Sequence, residues 1–511
     1  TVPKLKDPAL FVDKNYIDGK WQVSQGGKTF NVTDPATGQF IGNCPESTVE
    51  DTQAAIEAAA IAFPAWRSKS GRERGRILRR WFELMQEHKD DLATLITWEN
   101  GKARVDAAGE VQFAASFLEW FSEEAARVYG DVVPHSNAQL RVQVVKEPLG
   151  VCGLITPWNF PLAMATRKLG PALAAGCTVV LKTAGETPFS GNALTVLAER
   201  AGVPGGVFNV VTALENTPAI GKYMCESPIM RKISFTGSTR VGQILMRQSA
   251  NTLKKLSLEL GGNAPFIVFD DADLDLAIAG TIISKFKVTG QTCVCANRIY
   301  VQDALYDRYI AKLLGAVQQF KVGSGFQSDT SHGPLIHAAA VNKVQNHVKD
   351  AIQKGACVVI GGNQKASLGE FRSPSCGVML IRIGPNFFEP TILTNVTDVM
   401  EIASEETFGP VAPIFRFSTE DEVIARANKV SVGLASYVFS QDIGRIARVS
   451  EGLEVGMVAV NTGVISDAAA PFGGVKHSGL GREGSRYGIE DYMQLKTIVT
   501  GNVHVKHRAQ L

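Results

Sequence analysis

The sequence predicts an α/β protein built on a doubly wound parallel sheet, with a second α/β unit and a small β arm. Three observations predict it. From Gly150 onward, short apolar or β-branched runs alternate with helical stretches, the rhythm of strand–helix–strand units. After Asp271 a second stretch of the same kind runs to about Lys476. With 511 residues the chain is too long for one compact core, so two or three domains are expected.

Taken in order, residues 8–45 read as short strands and turns, punctuated by Asp18-Gly19, Gly26-Gly27 and Asp34-Pro35. Ser47, followed three residues later by Glu50, predicts a capping box that opens a long helix over 47–66. Helical patterns continue over 71–88, 90–99 and 103–129, and no chemistry is assigned to them. Residues 139–146 alternate, with Leu140, Val142 and Val144 on one face, as in a half-exposed strand of a hairpin arm or an oligomer contact. The doubly wound stretch supplies strands at 151–156, 178–182, 207–211 and 232–235, with helices at 161–175, 190–201 and 217–226 between them. A helix over 274–287 and a strand over 298–302 come next, then strands at 357–360 and 457–461. The least regular piece, 369–385, carries arginines, glycines and Cys376 and reads as a surface insertion.

Composition excludes several classes. Hydrophobic residues make up 45% and charged residues 20%, ordinary for a globular enzyme. The formal net charge is +2 and the basic residues are scattered, so no field points to nucleic acid or a membrane surface. No apolar run approaches the ~20 residues that span a bilayer. The opening residues, Thr1 to Asp7, carry no apolar signal region. Eight thinly spread cysteines form neither a disulfide framework nor paired CxxC units for zinc. A reducing compartment is expected, the cytoplasm or the mitochondrial matrix.

Five stretches have chemical potential. Gly290-Gln291-Thr292-Cys293-Val294-Cys295 is a glycine-led loop with two thiols one residue apart. A thiol on such a loop is either a small filler or a nucleophile with tuned ionisation. Phe235-Thr236-Gly237-Ser238-Thr239-Arg240-Val241-Gly242 follows a strand and opens a helix, so its glycines and helix N-terminus suit a phosphate, although the pattern is not GxGxxG. Lys182 ends a strand, where it either is solvated or holds a ribose or 2′-phosphate. Asn159, in Trp158-Asn159-Phe160-Pro161, is either a helix cap or an oxyanion donor. In Leu256-Ser257-Leu258-Glu259-Leu260-Gly261-Gly262 the leucines share one face and Glu259 takes the other, as an ion-pair member or a base of raised pKa.

These motifs, with Glu405-Glu406-Thr407-Phe408-Gly409-Pro410, Pro471-Phe472-Gly473-Gly474-Val475-Lys476 and Ser478-Gly479-Leu480-Gly481-Arg482-Glu483, resemble the aldehyde dehydrogenase superfamily, in its order and over nearly the whole chain. Cys293 stands 34 positions after Glu259, as in the family. The chain is most similar to the succinate-semialdehyde dehydrogenase branch, through the Cys293-Val294-Cys295 pair, Ile155-Thr156-Pro157-Trp158-Asn159-Phe160-Pro161 and Phe117-Leu118-Glu119-Trp120-Phe121-Ser122-Glu123-Glu124-Ala125.

The resemblance implies a Rossmann-like cofactor domain (1–133, 151–260 and 478–492), an α/β catalytic domain (261–477) and a small β oligomerisation arm (134–150 and 493–511). It implies that Cys293 attacks the aldehyde carbon, that the Asn159 side chain and the Cys293 N–H hold the oxyanion, and that Glu259 activates water to hydrolyse the thioester. Thr156, Pro157, Trp158, Lys182, Gly185, Gly237, Ser238, Glu406 and Phe408 would contact the cofactor. Arg167, Lys287 and Ser466 would hold the far carboxylate of a semialdehyde. Lys287 stands where the family has arginine, which keeps the charge but loses the bidentate fork. Arg167 lies eight residues after Asn159, ~12 Å along a helix, with its side chain leaning back toward the N-terminus. Gly185 stands where NAD-preferring relatives often have Glu, which favours NADP or dual use of NADP and NAD. Cys295 is either a passive small residue or the partner in a reversible disulfide with Cys293. The partners implied are a small semialdehyde and further copies of the chain, as homodimer or homotetramer, with a place in GABA degradation. Rival readings are a glutarate-type or neutral aldehyde as substrate. A silent relative need not keep Cys293, Glu259 and Asn159 together.

Overall fold

The computed structural model describes residues 3–365, 368–373, 377–382, 384–502 and 504. Its first large sheet has eight strands in the order Lys20–Gln22, Asn15–Ile17, Phe208–Val211, Thr178–Lys182, Val151–Ile155, Met230–Thr236, Lys255–Glu259, Gly479–Leu480. The middle five are parallel, and the flanking strands pair antiparallel. From Val151–Ile155 the chain winds one way to Thr178–Lys182 and Phe208–Val211, then returns to the other side at Met230–Thr236. The order therefore reverses between Val151–Ile155 and Met230–Thr236, and the crevice beyond their carboxyl ends is the expected ligand position in such a sheet.

Near-continuous apolar strands such as Thr178–Lys182 need cover on both faces. One face carries the helices Gly71–Glu87, Lys89–Asn100, Arg104–Glu124, Ala163–Ala175 and Pro188–Arg200, around Trp81, Phe117, Phe121 and Leu169. The other carries Val49–Ser68, Thr217–Glu226 and Thr239–Ser249, around Ile56, Val180, Ile233 and Leu258. The second sheet has seven strands in the order Cys357–Ile360, Thr391–Thr394, Val411–Phe417, Ala296–Gln302, Ala264–Val268, Ala435–Phe439, Met457–Val460, parallel except for the pairing of Cys357–Ile360 with Thr391–Thr394. Separate cores cover its two faces.

The arm is a three-stranded antiparallel sheet of Asp131–Pro134, Arg141–Pro148 and Met493–Thr500. It begins at Asp131 rather than 134 and exposes Val132, Leu495 and Val499.

Four local expectations are corrected. The first long helix is Val49–Ser68, capped by Thr48 and Asp51, not by Ser47 and Glu50. Ser47 is buried and its hydroxyl accepts from Asn15 Nδ2 (2.8 Å), so the capping register moves on by one residue. The helix after the Trp158 motif starts at Ala163, two residues beyond Pro161. The helix predicted over 274–287 is α-helical only over Leu274–Thr281, then widens into a π turn, Ile282–Phe286. The insertion at 369–385 contains a regular hairpin, Leu368–Ser373 against Gly377–Arg382, while Cys376 lies outside the described residues.

Candidate active site

Beyond the carboxyl ends of Val151–Ile155, Met230–Thr236 and Lys255–Glu259 opens a cavity of about 540 Å³, whose far wall comes from the second α/β unit. It gathers Cys293, Glu259 and Asn159 with Pro157, Trp158, Gly237, Ser238, Glu406 and Phe408, and with Arg167, Lys287 and Ser466. Thr156, Lys182 and Gly185 do not line it. They sit beside it along the same sheet edge, where the Thr156 N–H donates to the Lys182 carbonyl (3.2 Å).

The loop bearing Cys293 is aimed by unusual backbone. Val288 and Thr289 hold φ of 54° and 55°, and Gly290 comes next at 75°. Two β-branched residues in the left-handed region are strained, and they are pinned from outside. The Val288 N–H donates to Asp106 Oδ2 (3.1 Å), and the Thr289 hydroxyl donates to the Gly333 carbonyl (3.1 Å). A Cβ on Gly290 would lie 2.2 Å from the Gly409 carbonyl oxygen, so only glycine passes there. Cys293 is half-buried on the cavity wall. Burial pushes its thiol up to about 12; Glu406 and Glu259 push the same way, and Arg167 opposes them. Cys295 is buried off the cavity, its thiol directed at the carbonyls of Gly290 (3.3 Å) and Lys285 (3.7 Å).

Asn159 is not a helix cap. Its Nδ2 donates one N–H to the Gln291 carbonyl (2.9 Å), in the Cys293 loop, which leaves its second N–H for a ligand. Its backbone is fixed by a buried pair, Lys102 just before the helix Arg104–Glu124 and Glu110 on that helix, to neither of which the sequence assigns chemistry. Lys102 Nζ donates to the Asn159 carbonyl (2.6 Å) and to Glu110 Oε2 (2.5 Å). Glu110 Oε1 accepts the N–H groups of Leu162 (2.9 Å) and Ala163 (3.3 Å) at the start of the helix Ala163–Ala175. Both charged side chains are fully buried.

Glu259 ends its strand, as alternation predicts, facing away from Leu258 and Leu260. It is buried and its Oε2 has no hydrogen-bond partner among the described residues. Burial, then the neighbouring Glu483, hold its carboxyl well above the usual range, against Lys168, Arg167 and Arg482. Lys168 is already committed to a buried ion pair with Glu483.

Arg167 is 2% exposed on the helix Ala163–Ala175. The rings of Phe472 (4.1 Å), Phe117 (4.9 Å) and Phe113 (5.3 Å) surround its guanidinium carbon. Among the described residues no carboxylate comes within 4.0 Å of it, no hydrogen bond is made by its side chain, and its Nε is both buried and unpartnered. Ser466 is half-buried, and Lys287 is exposed at the cavity mouth.

On the other side, Ser238 caps the helix Thr239–Ser249, accepting the Val241 N–H (3.4 Å) and leaving the helix mouth open to the cavity. Phe408 meets Trp158 edge-on at 5.6 Å. Glu406 accepts the Gly262 N–H (3.4 Å), and burial raises its carboxyl to about 7. Lys182 is buried without an ion pair among the described residues, and burial lowers its ammonium to about 8. At Gly185 a Cβ would lie 2.7 Å from Leu214 Cδ1 and 3.1 Å from the Ala213 carbonyl oxygen, so packing also requires a small residue there. A buried free ammonium, a helix N-terminus and an aromatic pair, strung along a topological switch point, fit a dinucleotide.

A thiol, an amide donor and an unpaired carboxylate beside a crevice that fits a dinucleotide are the arrangement of a nicotinamide-linked oxidoreductase. A sequence model of the aldehyde dehydrogenase family matches residues 21–498, and the chain belongs to that family. It is 53% identical to the glutarate-semialdehyde dehydrogenase of Pseudomonas aeruginosa over 98% of this chain and 100% of that protein. It is equally 53% identical to the NADP(+) succinate-semialdehyde dehydrogenase of Escherichia coli, again over 98% and 100%. The crystal structure of succinate-semialdehyde dehydrogenase from Burkholderia pseudomallei superposes with a TM-score of 0.93, at 53% identity, over 98% of this chain and 100% of that one.

Proposed function

We propose that the protein oxidises succinate semialdehyde to succinate, with NADP or NAD as hydride acceptor. The observation that carries the acidic substrate is Arg167. A cation removed from water without an anion is costly, so a cavity built around one selects a ligand that brings a carboxylate. Ser466 at the wall and Lys287 at the mouth add a hydroxyl and a second charge, and relatives bearing this activity are half identical over the whole chain.

The chemistry is set by the side chains. The Cys293 thiolate attacks the aldehyde carbon, and the free N–H of Asn159 with the Cys293 backbone N–H receive the oxyanion. When bound, the oxidised nicotinamide supplies the hydride acceptor. The thiohemiacetal thus becomes a thioester on Cys293. Glu259, its carboxyl held above the usual carboxylate range by burial, takes a proton from the water that hydrolyses it and releases the acid. Thr156, Pro157, Trp158, Lys182, Gly185, Gly237, Ser238, Glu406 and Phe408 form the cofactor side in this reading. Cys295 is the oxidation partner of Cys293, and closing that disulfide breaks its contacts with Gly290 and Lys285. The exposed apolar arm, Asp131–Pro134 with Arg141–Pro148 and Met493–Thr500, is the surface on which copies assemble, as dimer or tetramer. In this reading the protein serves GABA degradation.

The test compares kcat/KM for succinate semialdehyde with that for butanal in the native protein and in Arg167→Met. A charged hydrogen-bonded contact is worth ~1.5–3 kcal/mol, so the native preference should be at least about tenfold and should vanish in the variant. Equal rates on the two aldehydes in the native protein would refute the acidic substrate and leave a neutral-aldehyde enzyme. A preference for glutarate semialdehyde over succinate semialdehyde would lengthen the substrate by one carbon.

A further inference from the structure

Ser284 takes no part in the chemistry of Cys293, Asn159 and Glu259, and no sequence motif marks it. It lies nine residues before Cys293, inside the π turn Ile282–Phe286. A π turn takes in one more residue than an α turn, so the residues after it are rotated by roughly 100°, one residue's share of a 3.6-residue turn. Ile283 and Lys287 consequently stand exposed at the mouth, and Ser284 and Lys285 are carried inward. Lys285 is satisfied there, because its Nζ donates to Asn297 Oδ1 (2.8 Å).

Ser284 is not satisfied. It is 6% exposed, it lines the cavity, and its Oγ has no hydrogen-bond partner among the described residues. A helical hydroxyl ordinarily bonds back to the carbonyl three or four residues before it. Thr281, one turn earlier, does so, donating to the Ala277 carbonyl (2.8 Å). The widened turn denies Ser284 that outlet and leaves its hydroxyl facing the same cavity as the unpartnered Arg167. A buried hydroxyl left unpaired is costly, and both groups are satisfied by one ligand that carries several acceptor oxygens.

We propose that Ser284 is a substrate-binding residue whose hydroxyl donates to the far carboxylate of the semialdehyde. Arg167 supplies the charge and Ser284 a directed hydrogen bond to a second lone pair of the same group. This rests on the acidic-substrate reading of Arg167. It assigns the widened helix turn a purpose, namely to present a hydroxyl at the anion subsite instead of burying it against the helix.

The experiment is steady-state kinetics of Ser284→Ala with succinate semialdehyde and with butanal, beside Arg167→Met. The expected result is a KM for the semialdehyde raised about tenfold or more, with kcat changed less than twofold and both constants for butanal unchanged. Succinate, as a competitive product inhibitor, should weaken by the same factor. Loss on both aldehydes alike would mean that Ser284 only shapes the loop before Cys293, and the proposal would fall. Unchanged constants on both substrates in Ser284→Ala, with discrimination lost in Arg167→Met, would remove Ser284 alone. No discrimination in the native protein would remove the acidic-substrate reading itself.

Discussion

Lys102→Met is the perturbation that separates fold from chemistry most cleanly. Lys102 and Glu110 are both fully buried, 2.5 Å apart, and the ammonium also holds the Asn159 carbonyl. Removing the ammonium strands the Glu110 carboxylate in the core with only the N–H groups of Leu162 and Ala163 for company. Breaking a buried pair from one side costs ~3–5 kcal/mol, so the urea midpoint of Lys102→Met should fall sharply. Adding Glu110→Gln removes the orphaned charge, and the double variant should recover most of that loss. It should not recover turnover, because the Asn159 carbonyl still lacks its donor. A removed oxyanion donor costs ~10²–10³ in kcat, and a mispositioned one should cost roughly 10–10², with KM for the aldehyde little changed. Lys102 then acts as a positioning residue through Asn159. A double variant with native kcat would refute that role and reduce the pair to a structural device.

Other consequences belong to single sites. Leu253 is 93% exposed and holds φ of 50°, so Leu253→Asn gives up no buried contact and relieves a left-handed strain of ~1–2 kcal/mol; the thermal midpoint should rise, and a fall would sink the argument. Lys182 is held at about 8 by burial, so it is charged below that pH and neutral above it. If it holds a 2′-phosphate, the Kd for NADP measured by titration should rise above pH ~8 while that for NAD stays flat, and a flat NADP profile would remove Lys182 from that role. Peroxide should inactivate the native protein reversibly through Cys293 and Cys295, and inactivation that a thiol reverses equally well in Cys295→Ala would exclude the disulfide.

The parts legible in the sequence are those where local chemistry and fold agree. The strand Thr178–Lys182 and the helix Thr217–Glu226 fall where β-branched runs and helical spacing put them. Glu259 is legible because alternation alone turns it away from Leu258 and Leu260. The misses share a physical cause, a long-range partner that no local pattern encodes. Ser47 has the look of a cap, but Asn15, remote in sequence, takes its hydroxyl. The apolar periodicity over 274–287 continues through the π turn, so nothing in it announces the change of pitch that turns Ser284 inward. Lys102 and Glu110 carry no local signal, because their partners, the Asn159 carbonyl and the N–H groups of Leu162 and Ala163, are remote in sequence.

One cavity holds Arg167 Nε, Glu259 Oε2 and Ser284 Oγ, all buried and all unpartnered among the described residues. At ~1–3 kcal/mol each, such groups consume a sizeable part of a net stability of ~5–15 kcal/mol. The cheapest relief would be for Arg167 to pair with Glu259, since each feels the other's charge. The fold prevents it. Arg167 is caged by Phe113, Phe117 and Phe472 on one helix side, and Glu259 is fixed at a strand end. Lys168, the other cation near Glu259, is drawn off by Glu483, whose own charge pushes the Glu259 carboxyl further up. Pairing would have neutralised Glu259 and Arg167 together, the base and the anion receptor of the proposed reaction. Held apart, they leave a cavity that is satisfied only when a ligand brings an anion to one end and a reacting carbon to the other. A neutral aldehyde meets half of that demand, which is why discrimination between the two aldehydes, more than absolute rate, reports on the design of this site.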